Sequence, residues 1–309
     1  MDSGDFSKSK LRLETQPGSS HFIPEHKCLR LKSKYLFDNN IFKFLEGDIN
    51  NFKFPEDKFD FIIHAATDSN SEMYRINPLL MFDTILNGTR NILDFAVKSE
   101  VKQVLFISSG AVYGRQPSEL SHVSEDFSGA PEINDINSAY SEGKRAAEML
   151  CALYSSRYSI SVKIARCFAF VGPYLPLDRH FAIGNFMNDF LKHNPIIIKG
   201  DGTTIRSYLY TADLIIWLLV ILIKGVNCRP YNVGSEFGIS LKNLAEAIST
   251  FSGKSLEVRV LTKKNELSNP DRYVPSTDRA RTELGLSQTI DINDSISRTL
   301  NFHLAAMKH

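Results

Sequence analysis

The stretch VLFISSGAVYG, residues 104–114, opens as an apolar run and stops in two serines, a glycine and a Val-Tyr-Gly. The run reads as a buried strand. A buried strand has no need of a serine pair at its end, so Ser108 and Ser109 raise the question of a site. Outward from this stretch, strand-like and helix-like segments alternate from residue 41 onward. FDFIIHAAT (59–67) predicts a strand, MFDTILNGTRNILDFAVKS (81–99) a helix and VKQVLFISS (101–109) the strand just quoted. A loop over 115–138, rich in Ser, Pro, Glu and Asp, leads to the helix AYSEGKRAAEMLCALYSSRY and then to the strand SVKIARCFAFV (161–171). Apolar strands separated by amphipathic helices imply βαβ units and a parallel sheet covered on both faces.

After Gly172-Pro173 the texture changes. A helix HFAIGNFMNDFLKHN, strands PIIIKG and IRSYLY about a GDGTT turn, and an apolar helix near Trp217 follow. Then come a short YNVGS strand, the helix SLKNLAEAISTF (240–251) and a last helix from Asp294 to about Ala305. The expected organisation is an atypical segment over 1–40, a larger α/β lobe over 41–172, and a smaller α+β lobe over 173–309. Some strands of the smaller lobe return to the first.

The composition excludes several classes. With 309 residues, 43% of them hydrophobic and 23% charged, the chain is ample for a large core. Its 36 basic and 35 acidic residues leave a net charge of +1, which gives no electrostatic reason to expect nucleic acid or an anionic membrane. Cys28, Cys151, Cys167 and Cys228 are scattered, with no CxxC and no His at ligand spacing, so a reduced, cytoplasmic protein without a metal site is expected. The polar N-terminus is no signal peptide. LIIWLLVILI (214–223) falls far short of the roughly 18 residues of a membrane span and is expected to be a buried helix.

Tyr140 and Lys144 are four residues apart in a predicted helix, so phenol and ammonium share a face. A cation beside a phenol favours phenolate and lowers its pKa, which suits proton transfer. Ser109 ends a strand, and the carboxyl ends of parallel strands are where α/β proteins bind ligands. Its hydroxyl could hold a substrate oxygen there.

Taken together, SS-x-x-VYG, the later YxxxK, RCFAFVGP, GDGTTIRSYLYTADL (200–214), YNVGS and NPDRYVPSTDRARTELGL resemble the extended short-chain dehydrogenase/reductase family, over about residues 42–300. Its members include nucleotide-sugar epimerases, dehydratases, decarboxylases and reductases. The resemblance implies a Rossmann-type doubly wound parallel sheet, a bound NAD with NADP as the alternative, a nucleotide-sugar substrate, and a homodimer through helices around 85–99 and 140–155. It implies that Ser109, Tyr140 and Lys144 are the catalytic triad, with Lys144 on the nicotinamide ribose. Asp48 and Ile49 match the pair flanking the adenine, and Ala65 and Ala66 the segment beside the pyrophosphate and ribose. Asn87 matches a helix asparagine packed near the active-site strands. Arg206 and Arg272 match arginines that grip the substrate diphosphate, a task suited to guanidinium forks. Asn185 lies where many members contact the substrate backbone. His64, His122 and His180 are read as structural or surface residues.

Three departures from the family pattern matter. No GxxGxxG or GxGxxG occurs in the first 40 residues, so the first βα unit is missing or degenerate, and the turn that receives the pyrophosphate is lacking. Either the reading frame begins upstream, or the chain is a remnant or a silent relative. KCLRLKSK is expected to occupy part of the missing strand's place. The 4,6-dehydratases carry an Asp-Glu pair where this chain has Gly110-Ala111, and decarboxylases usually keep the glutamate. Ala169 stands where an asparagine is common. An epimerase is therefore favoured. A 4-keto-sugar reductase and a cofactor-free binding protein are the alternatives, the reductase being distinguished by steady NAD(P)H consumption.

Overall fold

The computed structural model describes residues 13–14, 45, 47–67, 76–178, 181–253, 255–263 and 269–307. Most of the atypical N-terminal segment, KCLRLKSK and His180 lie outside the described residues. Within that segment, β1 (Leu13–Glu14) pairs in parallel with β2 (Gly47–Asp48).

The centre of the molecule is a four-stranded parallel sheet in the order β10-β5-β4-β3. Its strands are β3 (Phe61–His64), β4 (Gln103–Ser109), β5 (Ser161–Cys167) and β10 (Pro230–Val233). In β4 the side chains alternate between faces, as the two-residue period of a strand requires. Val104 and Phe106 meet Val162 and Ile164 of β5 under two helices, α1 (Pro78–Lys98) and α2 (Ala139–Tyr158). Leu105 and Ala165 face the other way, against α4 (Thr211–Lys224) with Trp217 and Ile221. Both faces of the quoted stretch are therefore covered.

A separate hydrophobic core gathers later residues of the chain. Phe186, Met187 and Phe190 of α3 (Ala182–Leu191) pack on β7 (Ile196–Ile198), α5 (Leu241–Ser249) and α7 (Ile292–Ala306). Beside it, β8 (Ile205–Arg206) is flanked by β11 (Ile239–Ser240) and by β13 (Arg272–Tyr273), which runs parallel to it.

Three expectations about elements need correction. The strand expected over 161–171 stops at Cys167: Phe168 bonds through its N–H to Val233 O, and β6 (Phe170–Val171) pairs instead with β9 (Leu209–Tyr210). The strand expected over IRSYLY is likewise two pieces, β8 and β9, interrupted at Ser207 and Tyr208. The apolar helix α4 is buried on one side only. Trp217, Ile221 and Leu222 are covered, while Ile215, Ile216, Leu219 and Ile223 are each about half exposed. A helix lying on one sheet face covers one stripe of its surface, however apolar the remainder. Among the described residues, no helix is long and apolar enough to cross a membrane.

Candidate active site

The carboxyl end of β4 carries the serine pair, and the two serines do different work. Ser108 continues the side of Val104 and Phe106 and meets α2, where its hydroxyl donates to Glu148 Oε1 at 2.6 Å. Ser109 stands at the mouth of the sheet. Its Oγ accepts from the N–H of Ala111 at 3.2 Å and caps the one-turn helix Gly110–Tyr113. The same hydroxyl is hydrogen-bonded to Tyr140.

Lys144 lies one turn further along α2 and is buried. Its Nζ donates to Ile107 O at 2.8 Å and to Thr67 Oγ1 at 3.0 Å, and sits 4.9 Å above the Phe106 ring. The structure thus brings Ser109, Tyr140 and Lys144 together. Burial lowers the Lys144 pKa to about 8. Tyr140 moves opposite to the sequence-based expectation: burial raises its pKa, and the bond with Ser109 offsets this only in part. The physical reason is placement, because the ammonium lies 5.9 Å from the centre of the Tyr140 ring and is spent on Ile107 and Thr67.

The other expected residues divide. Asp48 closes a turn on itself, its Oδ1 accepting from the backbone N–H and the side-chain amide of Asn50. The Ile49 side chain is fully buried with Phe52, Ile92 and Phe95, so only its backbone could touch an adenine. Ala65 and Ala66 follow β3 at the same sheet end, Ala65 exposed and Ala66 half-buried. Asn87 is exposed on α1 and does not pack towards the strands. Ile85, Gly88 and Thr89 take the inward positions of that turn, and Asn91 reaches back to Ile49 O.

In the smaller lobe Arg206 and Arg272 stand on paired strands, in register Arg272↔Ile205 and Tyr273↔Arg206. Arg206 is engaged with Asp271 at 2.7 Å, an ion pair an incoming diphosphate must compete with. Asn185 is half-buried on α3.

Whether NAD(P) fits can be judged from these residues. Lys144 directs two of its three N–H bonds to protein acceptors, beside Tyr140. Near it, at the end of β3, His64 has a buried Nδ1 with no partner among the described residues. This end suits a nicotinamide ribose. The pyrophosphate end has no such match among the described residues. A Cβ on Gly47 would strike the Phe52 side chain at 2.9 Å, and one on Gly88 the Ile49 side chain at 3.0 Å. Both glycines serve internal packing, and neither borders an open phosphate cradle.

His64 is also a pH-sensitive element. Its Nε2 bonds to Thr89 Oγ1 at 3.0 Å, and burial, with the Lys144 charge, lowers its pKa from 6.5 to about 3. The folded state thus holds it neutral while the unfolded chain protonates it. The stability is present above pH 6.5 and is lost as pH falls towards 3, by roughly 4–5 kcal/mol for that shift. Urea unfolding over this range should show a steep acid dependence in the parent that His64→Gln reduces. Parallel curves for the two proteins would contradict the assignment.

Sequence reading missed a buried polar network behind the site. Glu148 takes Ser108 and both Nε and Nη2 of Arg166, and Arg166 Nη1 bonds to Tyr113 OH at 2.9 Å. Tyr113 OH then donates to Asn232 Oδ1, 119 residues along the chain, and Asn232 N–H to Glu125. The signals available were a Glu one turn after Lys144 and the Arg of RCFAFVGP.

Ser109, Tyr140 and Lys144 thus lie at the carboxyl end of a parallel sheet, where α/β proteins bind their ligands. Residues 18–234 match the NAD dependent epimerase/dehydratase family, and the chain belongs to it. UDP-glucuronic acid decarboxylase 1 of Xenopus tropicalis is 27% identical over 252 residues, 81% of this chain. Its Arabidopsis thaliana counterpart is 29% identical over 269 residues, 86% of this chain. The chain spans only 58% and 60% of the lengths of these two relatives. UDP-glucuronic acid 4-epimerase from Bacillus cereus, solved with UDP-glucuronic acid and NAD, superposes with a TM-score of 0.77 at 23% identity, over 91% of this chain and 87% of its own. RMD from Pseudomonas aeruginosa, complexed with NADPH, gives 0.71 at 22% identity, over 88% and 95%. These likenesses show a shared Rossmann-type fold.

Proposed function

We propose that the protein catalyses NAD(P)-dependent oxidation and reduction at a sugar carbon of a nucleotide-sugar, in the manner of an epimerase. The observation that carries this reading is the convergence of Ser109, Tyr140 and Lys144 at one sheet end. The paired strands bearing Arg206 and Arg272 supply the grip for a diphosphate. The cofactor supplies the hydride acceptor and donor. Lys144 and Tyr140 would hold its nicotinamide ribose, and Asp48 its adenine. Ser109 orients the sugar hydroxyl, and Tyr140 takes its proton as the ketone forms and returns it afterwards. Gly110 and Ala111 offer no acid or base for removing water, which favours epimerisation over dehydration. Charge-assisted bonds to a diphosphate are worth about 1.5–3 kcal/mol each. Arg272→Ala should therefore weaken UDP and UDP-sugar binding alike, by roughly ten- to hundredfold in calorimetric titration. Undiminished affinity would remove this part of the proposal.

A second reading has one observation in its favour: among the described residues, neither Gly47 nor Gly88 borders an open phosphate cradle. In it the protein binds a nucleotide-sugar without turning it over. Purified protein that carries no nicotinamide yet is stabilised by the nucleotide-sugar supports this reading.

A further inference from the structure

Ser109 has a second phenol on it. Besides Tyr140, its hydroxyl is hydrogen-bonded to Tyr273 of β13. A hydroxyl gives one hydrogen bond and accepts two, so Ala111, Tyr140 and Tyr273 together use all that Ser109 can make. A sugar hydroxyl that is to be oriented by Ser109 and deprotonated by Tyr140 needs one of these places. The Ala111 N–H is fixed by the turn, and Tyr140 is the base. The place that can be vacated is that of Tyr273.

Tyr273 reaches Ser109 because residue 110 has no side chain. A Cβ there would lie 2.7 Å from the Tyr273 hydroxyl oxygen and 2.6 Å from the Phe168 ring. Phe168, just past the end of β5, supports the tyrosine ring, with centroids 4.6 Å apart at 35°. The same short segment ties the site to the arginines. Asp271 holds Arg206, Arg272 is the second arginine, and Tyr273 follows directly. A diphosphate arriving at Arg206 and Arg272 thus acts on the strand that carries the Tyr273 hydroxyl.

We propose that the Tyr273 hydroxyl stands on Ser109 in the place the substrate's reacting oxygen would take and is displaced when the sugar enters, so that it selects for ligands bringing a hydroxyl to Ser109. The inference rests on the nucleotide-sugar reading of the site. Tyr273 keeps the buried Ser109 satisfied. A ligand lacking the sugar leaves that bond intact, whereas one with the hydroxyl must exchange it. Tyr273 is a specificity-determining residue in this account, and not a proton carrier.

The test is calorimetric titration of the parent and Tyr273→Phe with UDP and with UDP-glucuronic acid. The variant keeps the ring against Phe168 and removes only the competing hydroxyl. It should bind UDP as the parent does and UDP-glucuronic acid about three- to tenfold more tightly, the effect of one net hydrogen bond. Weaker binding of UDP-glucuronic acid alone would make Tyr273 a substrate ligand and overturn the inference. An equal change for both ligands, or no change, would overturn it as well. Failure of the parent to bind UDP, UDP-glucuronic acid, dTDP or dTDP-glucose is a separate result, which overturns the nucleotide-sugar reading itself.

Discussion

Tyr140→Phe should lower turnover of a nucleotide-sugar by roughly 10²–10⁴-fold, the usual contribution of a positioned acid–base group. Sugar-nucleotide affinity and the unfolding midpoint should change little. The phenyl ring still packs against the core formed by α1, α2 and β4, so no cavity opens. What is lost is one bond to Ser109, worth about 1 kcal/mol. The split matters more than the loss, because a merely structural tyrosine would take affinity and stability down with activity. The raised pKa of Tyr140 adds a second signature. A phenol held above its ordinary pKa is almost wholly protonated near neutral pH, so turnover should rise with pH until Lys144, which would hold the ribose, gives up its charge near pH 8. Kinetics across this range on Tyr140→Phe and the parent distinguish these roles. A variant with unchanged turnover would remove Tyr140 from the chemistry.

Among single substitutions at neutral pH, the largest stability effect is expected at Glu148→Ala. Glu148 and Arg166 are about one-tenth to one-seventh exposed, joined at 2.7 Å, with Ser108 as the third partner. Burial alone would lower the Arg166 pKa, but the bond and charge of Glu148 outweigh it, and the guanidinium is held firmly charged. Removing Glu148 leaves that charge buried and unpaired, at a cost of about 3–5 kcal/mol. Against a total stability of about 5–15 kcal/mol, this brings the protein close to unfolding. Arg166→Met in the Glu148→Ala background should recover part of the loss, because no orphaned charge remains. Urea unfolding of both singles and the double mutant measures the coupling. Additive losses would show that the pair is not a unit.

The parts of the fold that were legible are those whose cause is local. The helix over 139–158 shows its period and the strand ending at Ser109 its apolar run, and the structure places both as expected. The grouping of Ser109, Tyr140 and Lys144 followed from spacing plus family likeness, since four residues on a helix fix a face. What could not be read depends on partners remote in the chain. The break after Cys167 arises because Phe168 turns to Val233 and β6 finds β9, and nothing within SVKIARCFAFV encodes that choice. The exposed stripe of α4 has the same composition as the buried one, so hydropathy cannot tell them apart. Tyr273 carries no signal of its own in the sequence. Its reach to Ser109 needs the absent side chain at Gly110 and the Phe168 ring, three segments that meet only in the folded chain. The charge of Lys144 was expected to act on Tyr140, but the two backbone and hydroxyl acceptors that claim it lie on other elements.

The central claim is that this Ser-Tyr-Lys site moves a hydride between a sugar carbon and a nicotinamide. It is tested most directly by incubating the protein with NAD and a nucleotide-sugar deuterated at the carbon bearing the reacting hydroxyl, then analysing the recovered sugar by NMR and mass spectrometry. The account predicts that the parent protein gives sugar inverted at that carbon with its deuterium retained, and that Tyr140→Phe gives none. Inversion with loss of the deuterium to water, or no inversion by a parent protein shown to bind both NAD and the nucleotide-sugar, would contradict it.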